Sequence, residues 1–178
     1  MGIGKQPKTR RPASLARSAW RKLVPLILGL LAIAGGFLFC QGKVLRVADG
    51  DTVDVLIGGK REKVRLYGID APESAQAGGR EAADFAAKFL LFETVSLSVV
   101  DRDQYGRSVA LVRLEDGGIA NEEMVRAGHA WVYRNHCREA FCAQWLALEY
   151  QAKKAGLGLW RRGKPVPPWQ WRRNNPRR

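Results

Sequence analysis

Histidine and cysteine are scarce in this chain: His129 and His136, with Cys40, Cys137 and Cys142, are all that 178 residues contain. Structural zinc sites need four such ligands at paired spacings, and that spacing is absent, so no structural zinc is expected. No internal repeat is visible either, and a chain of this length is expected to hold one ordinary core. Acidic residues are absent from residues 1–34 and again from 161–178. Those two ends hold fourteen of the thirty Lys and Arg residues, leaving sixteen basic against seventeen acidic residues between 35 and 160. The formal charge of +13 therefore belongs to the ends, and the middle carries a net of about −1. A high overall charge usually suggests a broad nucleic-acid footprint, but here it says little about any site inside the domain.

Residues 1–40 read as a targeting element rather than part of the fold, because a basic stretch precedes the apolar run Leu23 to Cys40. Ala32-Ile33-Ala34 has the small-x-small form of a signal-peptidase site, while about 18 apolar residues just suffice to span a hydrocarbon core. A cleaved signal peptide and a retained inner-membrane anchor over residues 23–40 both stand open. Either fate leaves the basic flank inside and exports the domain to the periplasm or beyond the cell. Arg10-Arg11 is followed by Pro12 and Ala13, which do not continue a twin-arginine signal, and Cys40 lacks the small preceding residues of a lipoprotein signal. In an oxidising compartment Cys137 and Cys142 could close a local disulfide; two unpaired thiols near a helix start are the other reading.

From Lys43 the pattern becomes alternation, first over Val44 to Ala48 and then over Val53 to Ile57. Gly58-Gly59 marks a tight hairpin, and Glu62 to Tyr67 returns as a third strand. Ala82 to Phe92 has apolar residues at helical spacing, Thr94–Val100 and Ser108–Leu114 alternate again, and Ile119–Ala127 and Ala140–Ala155 read as helices. Five short strands with a helix after the third suit an α+β fold built on a small closed barrel of the oligonucleotide-binding type.

Three runs carry chemistry: Asp49-Gly50-Asp51-Thr52, Arg65 through Glu73, and Asp103-Gln104-Tyr105-Gly106-Arg107. Singly they are ordinary, since Asp-Gly-Asp is a common turn sequence. Jointly they supply hard carboxylate oxygens for a calcium-like or magnesium-like cation, a spare carboxylate to act as base, and two arginines whose forks fit phosphate. Hydrolysis of a phosphodiester asks for those three things.

In order and near-spacing these runs resemble the thermonuclease, or staphylococcal nuclease-like, family from about Lys43 to Trp160, so the domain is expected over 43–160. Gly79-Arg80-Glu81-Ala82, Asn121 to Gly128 and Gly158-Leu159-Trp160 add to the likeness. The resemblance implies a five-stranded barrel capped by three helices. It implies calcium, ahead of magnesium, held by Asp51, Asp70 and the backbone carbonyl of Ala71, with Asp49 orienting water or balancing charge nearby. Glu73 would be the general base, Arg65 and Arg107 the transition-state arginines, and Tyr105 and Tyr133 the substrate contacts. Two departures stand out: Gln104, where many relatives have lysine, and Ala71, where many have threonine. The expected activity is a calcium-dependent endonuclease acting on DNA and RNA with little sequence preference, leaving 3′-phosphates, from a monomer. The alternative is a non-catalytic nucleic-acid-binding barrel tethered at the membrane. A third reading, a membrane-tethered structural protein whose tails grip anionic lipid, leaves the three runs unexplained.

The tail 161–178, with Pro165, Pro167 and Pro168, is expected to be extended and not helical. Its Pro168-Trp169-Gln170-Trp171-Arg172 resembles a closing motif of many bacterial relatives. Either the tail holds nucleic acid or anionic lipid, or its tryptophans pin it to the domain while its arginines are solvated.

Overall fold

The computed structural model describes Met1 and residues 39–176. Apart from Met1, Phe39 and Cys40, the expected signal or anchor segment lies outside the described residues. Strands β1 (Phe39–Asp49), β2 (Thr52–Ile57) and β3 (Lys60–Leu66) form the expected meander. Gly58 and Gly59 both have positive φ, 54° and 81°, the twist that a two-residue hairpin turn requires. β1 starts four residues ahead of Lys43, because Phe39 to Lys43 pair with Ser98 to Thr94 of β5 (Thr94–Arg102). That pairing closes the barrel, and no alternation inside an apolar run could have announced it.

The remaining barrel strand is β6 (Ser108–Arg113), and the closed order is β1-β2-β3-β6-β5. Neighbours are antiparallel except β3 and β6, which run parallel with Arg65 opposite Val109. Parallel neighbours need a long crossover, and helix α1 (Gly79–Leu90) with β5 supplies it. A second, two-stranded sheet joins β4 (Ile69–Asp70) to β7 (Trp131–Val132), setting Asp70 opposite Trp131. Helices α2 (Ala120–Arg126) and α3 (Phe141–Lys154) follow, then a 3₁₀ turn at Gly158–Arg162. The fold is the expected α+β, oligonucleotide-binding type barrel with helical caps.

A fourth helix, α4 (Pro168–Asn174), corrects the expectation of three caps and an extended tail. Pro168 sits in the first turn, where its fixed φ is preorganised for a helix and its missing N–H is not needed. Seven residues do not make a stable helix alone, so the conformation depends on what the tail touches.

Inside the barrel Val44, Val53, Val55, Val64, Leu66, Val95, Leu97 and Val112 are buried. Leu90, Met124, Val125 and Trp145 extend this core towards the helices. Asn121 is fully buried and ties the two halves: its Oδ1 accepts from the Val112 amide at 3.0 Å, and its Nδ2 donates to the carbonyls of Tyr67 and Ala110 at 3.0 and 3.1 Å. Glu149 of α3 accepts from the Val132 amide at 2.9 Å, which fixes β7 and therefore the edge beside Asp70.

Candidate active site

The turn between β1 and β2 is shaped by its glycine. A Cβ on Gly50 would stand 2.7 Å from the Ala71 methyl and 2.9 Å from that of Ala82, so the turn can lie against α1 only without a side chain there. Asp49 Oδ1 caps this turn by accepting from the Asp51 amide at 3.0 Å. Asp51 then reaches across: its Oδ2 accepts the Ala71 amide at 2.6 Å, and its Oδ1 accepts the Thr52 hydroxyl at 3.2 Å. Ala71 is thus clamped, backbone first, against the carboxylates.

Arg65 points from β3 into the same place. It forms ion pairs with Asp51 and, at 2.9 Å, with Asp70, and donates to the Ile69 carbonyl at 3.3 Å. Asp70 is fully buried and Arg65 is partly buried. Burial pulls the guanidinium pKa of Arg65 down, while Asp70 and Asp49 pull it back up. Burial likewise raises the Asp49 carboxyl above its ordinary value, against the lowering pull of Arg65. These groups share one low-dielectric neighbourhood, where paired charges interact strongly.

Arg107 comes from the β5–β6 turn. Asp103 organises that turn by accepting from the amides of Tyr105 and Arg107 at 2.9 and 3.0 Å, and from Arg107 Nε at 2.6 Å. Burial works to raise the Asp103 pKa, but the bonds from Arg107 and Tyr105 outweigh it and hold the carboxyl below its usual value. Arg107 is close enough for its charge to be felt by Arg65 and Asp49, and Tyr105 projects into solvent with the Arg107 guanidinium 5.6 Å from its ring centre.

Glu73 follows in the loop after β4. Its amide donates to Gln76 Oε1 at 3.3 Å and its carbonyl accepts from the Gln76 amide at 2.8 Å. The Glu73 side chain meets Arg172 of α4, whose Nη1 lies 2.8 Å from Oε1. The same guanidinium takes both oxygens of Asp70, at 3.2 and 2.8 Å. Burial would lower the Arg172 pKa, yet its bonds to Asp70 and Glu73 raise it well above the ordinary value. Tyr133 lies just beyond, with its ring stacked on Trp169 at 5.8 Å and an interplanar angle of 8°.

Asp49, Asp51, Arg65, Asp70, Ala71 and Glu73 are thus brought together, Arg107 borders them, and Tyr105 stands apart on an exposed turn. Among the described residues no three Asp, Glu, His or Cys side chains form a ready metal cage. The donor set still suits a hard cation. Asp51 and Asp70 share one guanidinium, Asp70 and Glu73 share another, and each of these side chains offers hard carboxylate oxygens. Cys137 and Cys142 are joined in a disulfide, which closes the loop between β7 and α3.

The sequence left the site roles of three participants unassigned. Arg172 acts through Glu73, 99 positions away, and Gln76 through Val166, 90 positions away. Thr52 supplies a hydroxyl to Asp51. The available signal for Arg172 was Pro-Trp-x-Trp-Arg, a proline at a helix start followed by aromatics spaced to grip a surface.

Residues 63–162 match the family model described as staphylococcal nuclease homologue. An uncharacterized endonuclease of Escherichia coli O157:H7 is 38% identical over 152 residues, covering 85% of this chain and 97% of that protein. A micrococcal nuclease of Shigella flexneri is 38% identical over 141 residues, covering 75% and 80%. A probable staphylococcal-like nuclease of Oryza sativa subsp. japonica is 38% identical over 115 residues, covering 65% of this chain and 34% of its own length.

Proposed function

The chain belongs to the staphylococcal nuclease homologue family, and from that membership we propose that it is an endonuclease hydrolysing DNA and RNA phosphodiesters with calcium as cofactor. The observation that carries the reading is the sharing of Arg65 by Asp51 and Asp70, with Glu73 drawn to the same spot. Asp51, Asp70 and the Ala71 carbonyl are the groups to hold the cation, and Asp49 balances charge beside them. When bound, calcium neutralises charge on the phosphoryl oxygens.

Glu73 takes the proton from an attacking water, a role worth about 10² to 10⁴ in rate. The new bond forms between that oxygen and phosphorus, and the bond from phosphorus to the 5′ oxygen breaks; the 5′ oxygen takes a proton from solvent water to leave as a 5′-hydroxyl, and the other product carries a 3′-phosphate. Arg65 and Arg107 donate to the non-bridging oxygens as negative charge grows there, and remain protonated throughout. Tyr105 and Tyr133 bind the nucleotide on either side. Export to the periplasm or beyond the cell belongs to the same proposal, resting on the apolar segment before residue 39.

Digestion of single- and double-stranded DNA and of RNA, with calcium and with chelator, tests the reading. Metal-dependent cleavage leaving 3′-phosphate ends is expected. Binding of single strands without cleavage, indifferent to chelator, would instead identify a binding barrel.

A further inference from the structure

One short helix touches three of the groups the proposed reaction needs. Arg172 covers both oxygens of Asp70 and reaches Glu73, while Trp169, three residues earlier, lies flat on Tyr133 and edge-on to Trp131 at 6.4 Å. A further link comes from Gln76, buried beneath the Glu73 loop, whose Nε2 donates to the Val166 carbonyl at 2.6 Å. The loop that carries the base and the segment that leads into α4 are therefore fastened together.

Resting on the reading of Asp70 as a cation ligand, we infer that α4 is an intrachain plug: Arg172 and a divalent cation exclude each other at Asp70 and Glu73, and the enzyme works with α4 displaced. The exclusion is electrostatic. Arg65 already takes one site on Asp70 Oδ1, and Arg172 takes a second on that oxygen and one on Oδ2, so most of the carboxylate's acceptor sites are filled, and a divalent ion there would face a second positive charge at close range. The stack of Trp169 on Tyr133 closes the ring face on which a nucleobase would lie.

The plug is also built to leave. Its seven residues have no stable helix without their contacts. The Arg172 side chain is 36% exposed, so water can take over its guanidinium, and Arg65 keeps the buried Asp70 paired when Arg172 leaves. Between the 3₁₀ turn and α4 stands Gly163, with φ 98° and open space where a Cβ would be, a joint that can change direction freely.

Calcium binding to the full chain, measured by titration calorimetry, and amide hydrogen exchange over residues 168–174 test the plug together. Removing an internal competitor raises apparent affinity by the inverse of the fraction of chains already open. Arg172→Gln should therefore bind calcium about tenfold or more tightly than the unaltered chain. Trp169→Ala, which leaves every carboxylate partner in place, should move affinity the same way by less. In the unaltered chain, saturating calcium should speed exchange across 168–174. Equal or weaker calcium binding by both variants, or slow exchange there with calcium bound, overturns the plug alone. No calcium binding by any of the three chains overturns the cation-ligand reading and the plug with it. Should Arg172→Gln fail to fold, Trp169→Ala and the exchange measurement still decide.

Discussion

Arg65 and Arg172 bind the same carboxylate, Asp70, from two different kinds of structure. Arg65 is set in β3 with Thr52 opposite on one side and Val109 on the other, so both neighbouring strands fix its backbone. Its side chain is 15% exposed, against 36% for Arg172, which rides on a helix held mainly by side chains. The difference separates a part of the site that the barrel makes from a part that is laid over it. A charge fixed by strand register stays in the site; a charge delivered by a short docked helix is one that can be withdrawn.

Replacing the barrel-borne charge should have the largest effect. Arg65→Ala takes from the buried Asp51 and Asp70 the partner they share, and because Asp70 keeps Arg172 the loss should be at the lower end for a broken buried pair, about 3 kcal/mol. It should also lower single-turnover cleavage by about 10³-fold or more, as for other transition-state arginines. Arg107→Ala should match the rate loss without the stability loss, because its partner Asp103 sits on a partly exposed turn. Denaturant melts beside cleavage rates separate the two. If Arg65→Ala melts like the unaltered chain, strand register is not what distinguishes Arg65 from Arg172.

This same division explains what could be read in advance. Strands with alternating burial, such as β6 with Ser108, Ala110 and Val112 inward, are legible because one face must be apolar. The turn of Asp49 to Thr52 and the run from Arg65 to Glu73 are legible because their residue types are rare in combination. β4 and β7 are two residues each, too short for any period, so the sheet that aims Asp70 leaves no pattern. α1 begins at Gly79 rather than Ala82, although glycine disfavours helices, because a Cβ on Gly79 would stand 2.0 Å from the Glu73 carbonyl oxygen. α4 was hidden for the opposite reason: Pro165, Pro167 and Pro168 argue locally for an extended chain, and only the contacts of Trp169 and Arg172 reverse that. Local rules thus recover what the barrel makes and miss what docking makes.

The disulfide offers a smaller, selective perturbation. Cys137 and Cys142 close a short loop between β7 and α3, next to the Tyr133 on which Trp169 rests. Chain-entropy arguments give about 2 kcal/mol for a loop of this size. Reduction should lower the melting temperature accordingly and speed hydrogen exchange over 168–174 more than over β1 to β3. Uniform loosening would mean that the docked part is no more separable than the barrel itself.

The smallest effect belongs to His129, which probes the helical caps and not the tail. It follows α2, is half-buried, and lies stacked on Phe85 of α1 at 4.4 Å, with its Nδ1 buried and without a hydrogen-bond partner among the described residues. Burial lowers its pKa below the ordinary 6.5, helped by Lys88 and Arg161 and opposed by Glu81. In the unfolded chain the imidazole takes up a proton as pH falls through about 6.5, whereas the folded chain resists until lower pH. More protons are then bound unfolded than folded, so stability declines as pH falls below that value and is fully kept above it. Denaturant melts between pH 7.5 and 5 should show this decline, and His129→Gln should flatten it. Exchange over 168–174 should follow the same pH series no more steeply in the unaltered chain than in His129→Gln. A steeper response would tie the caps to the plug, and the two regions would no longer be independent.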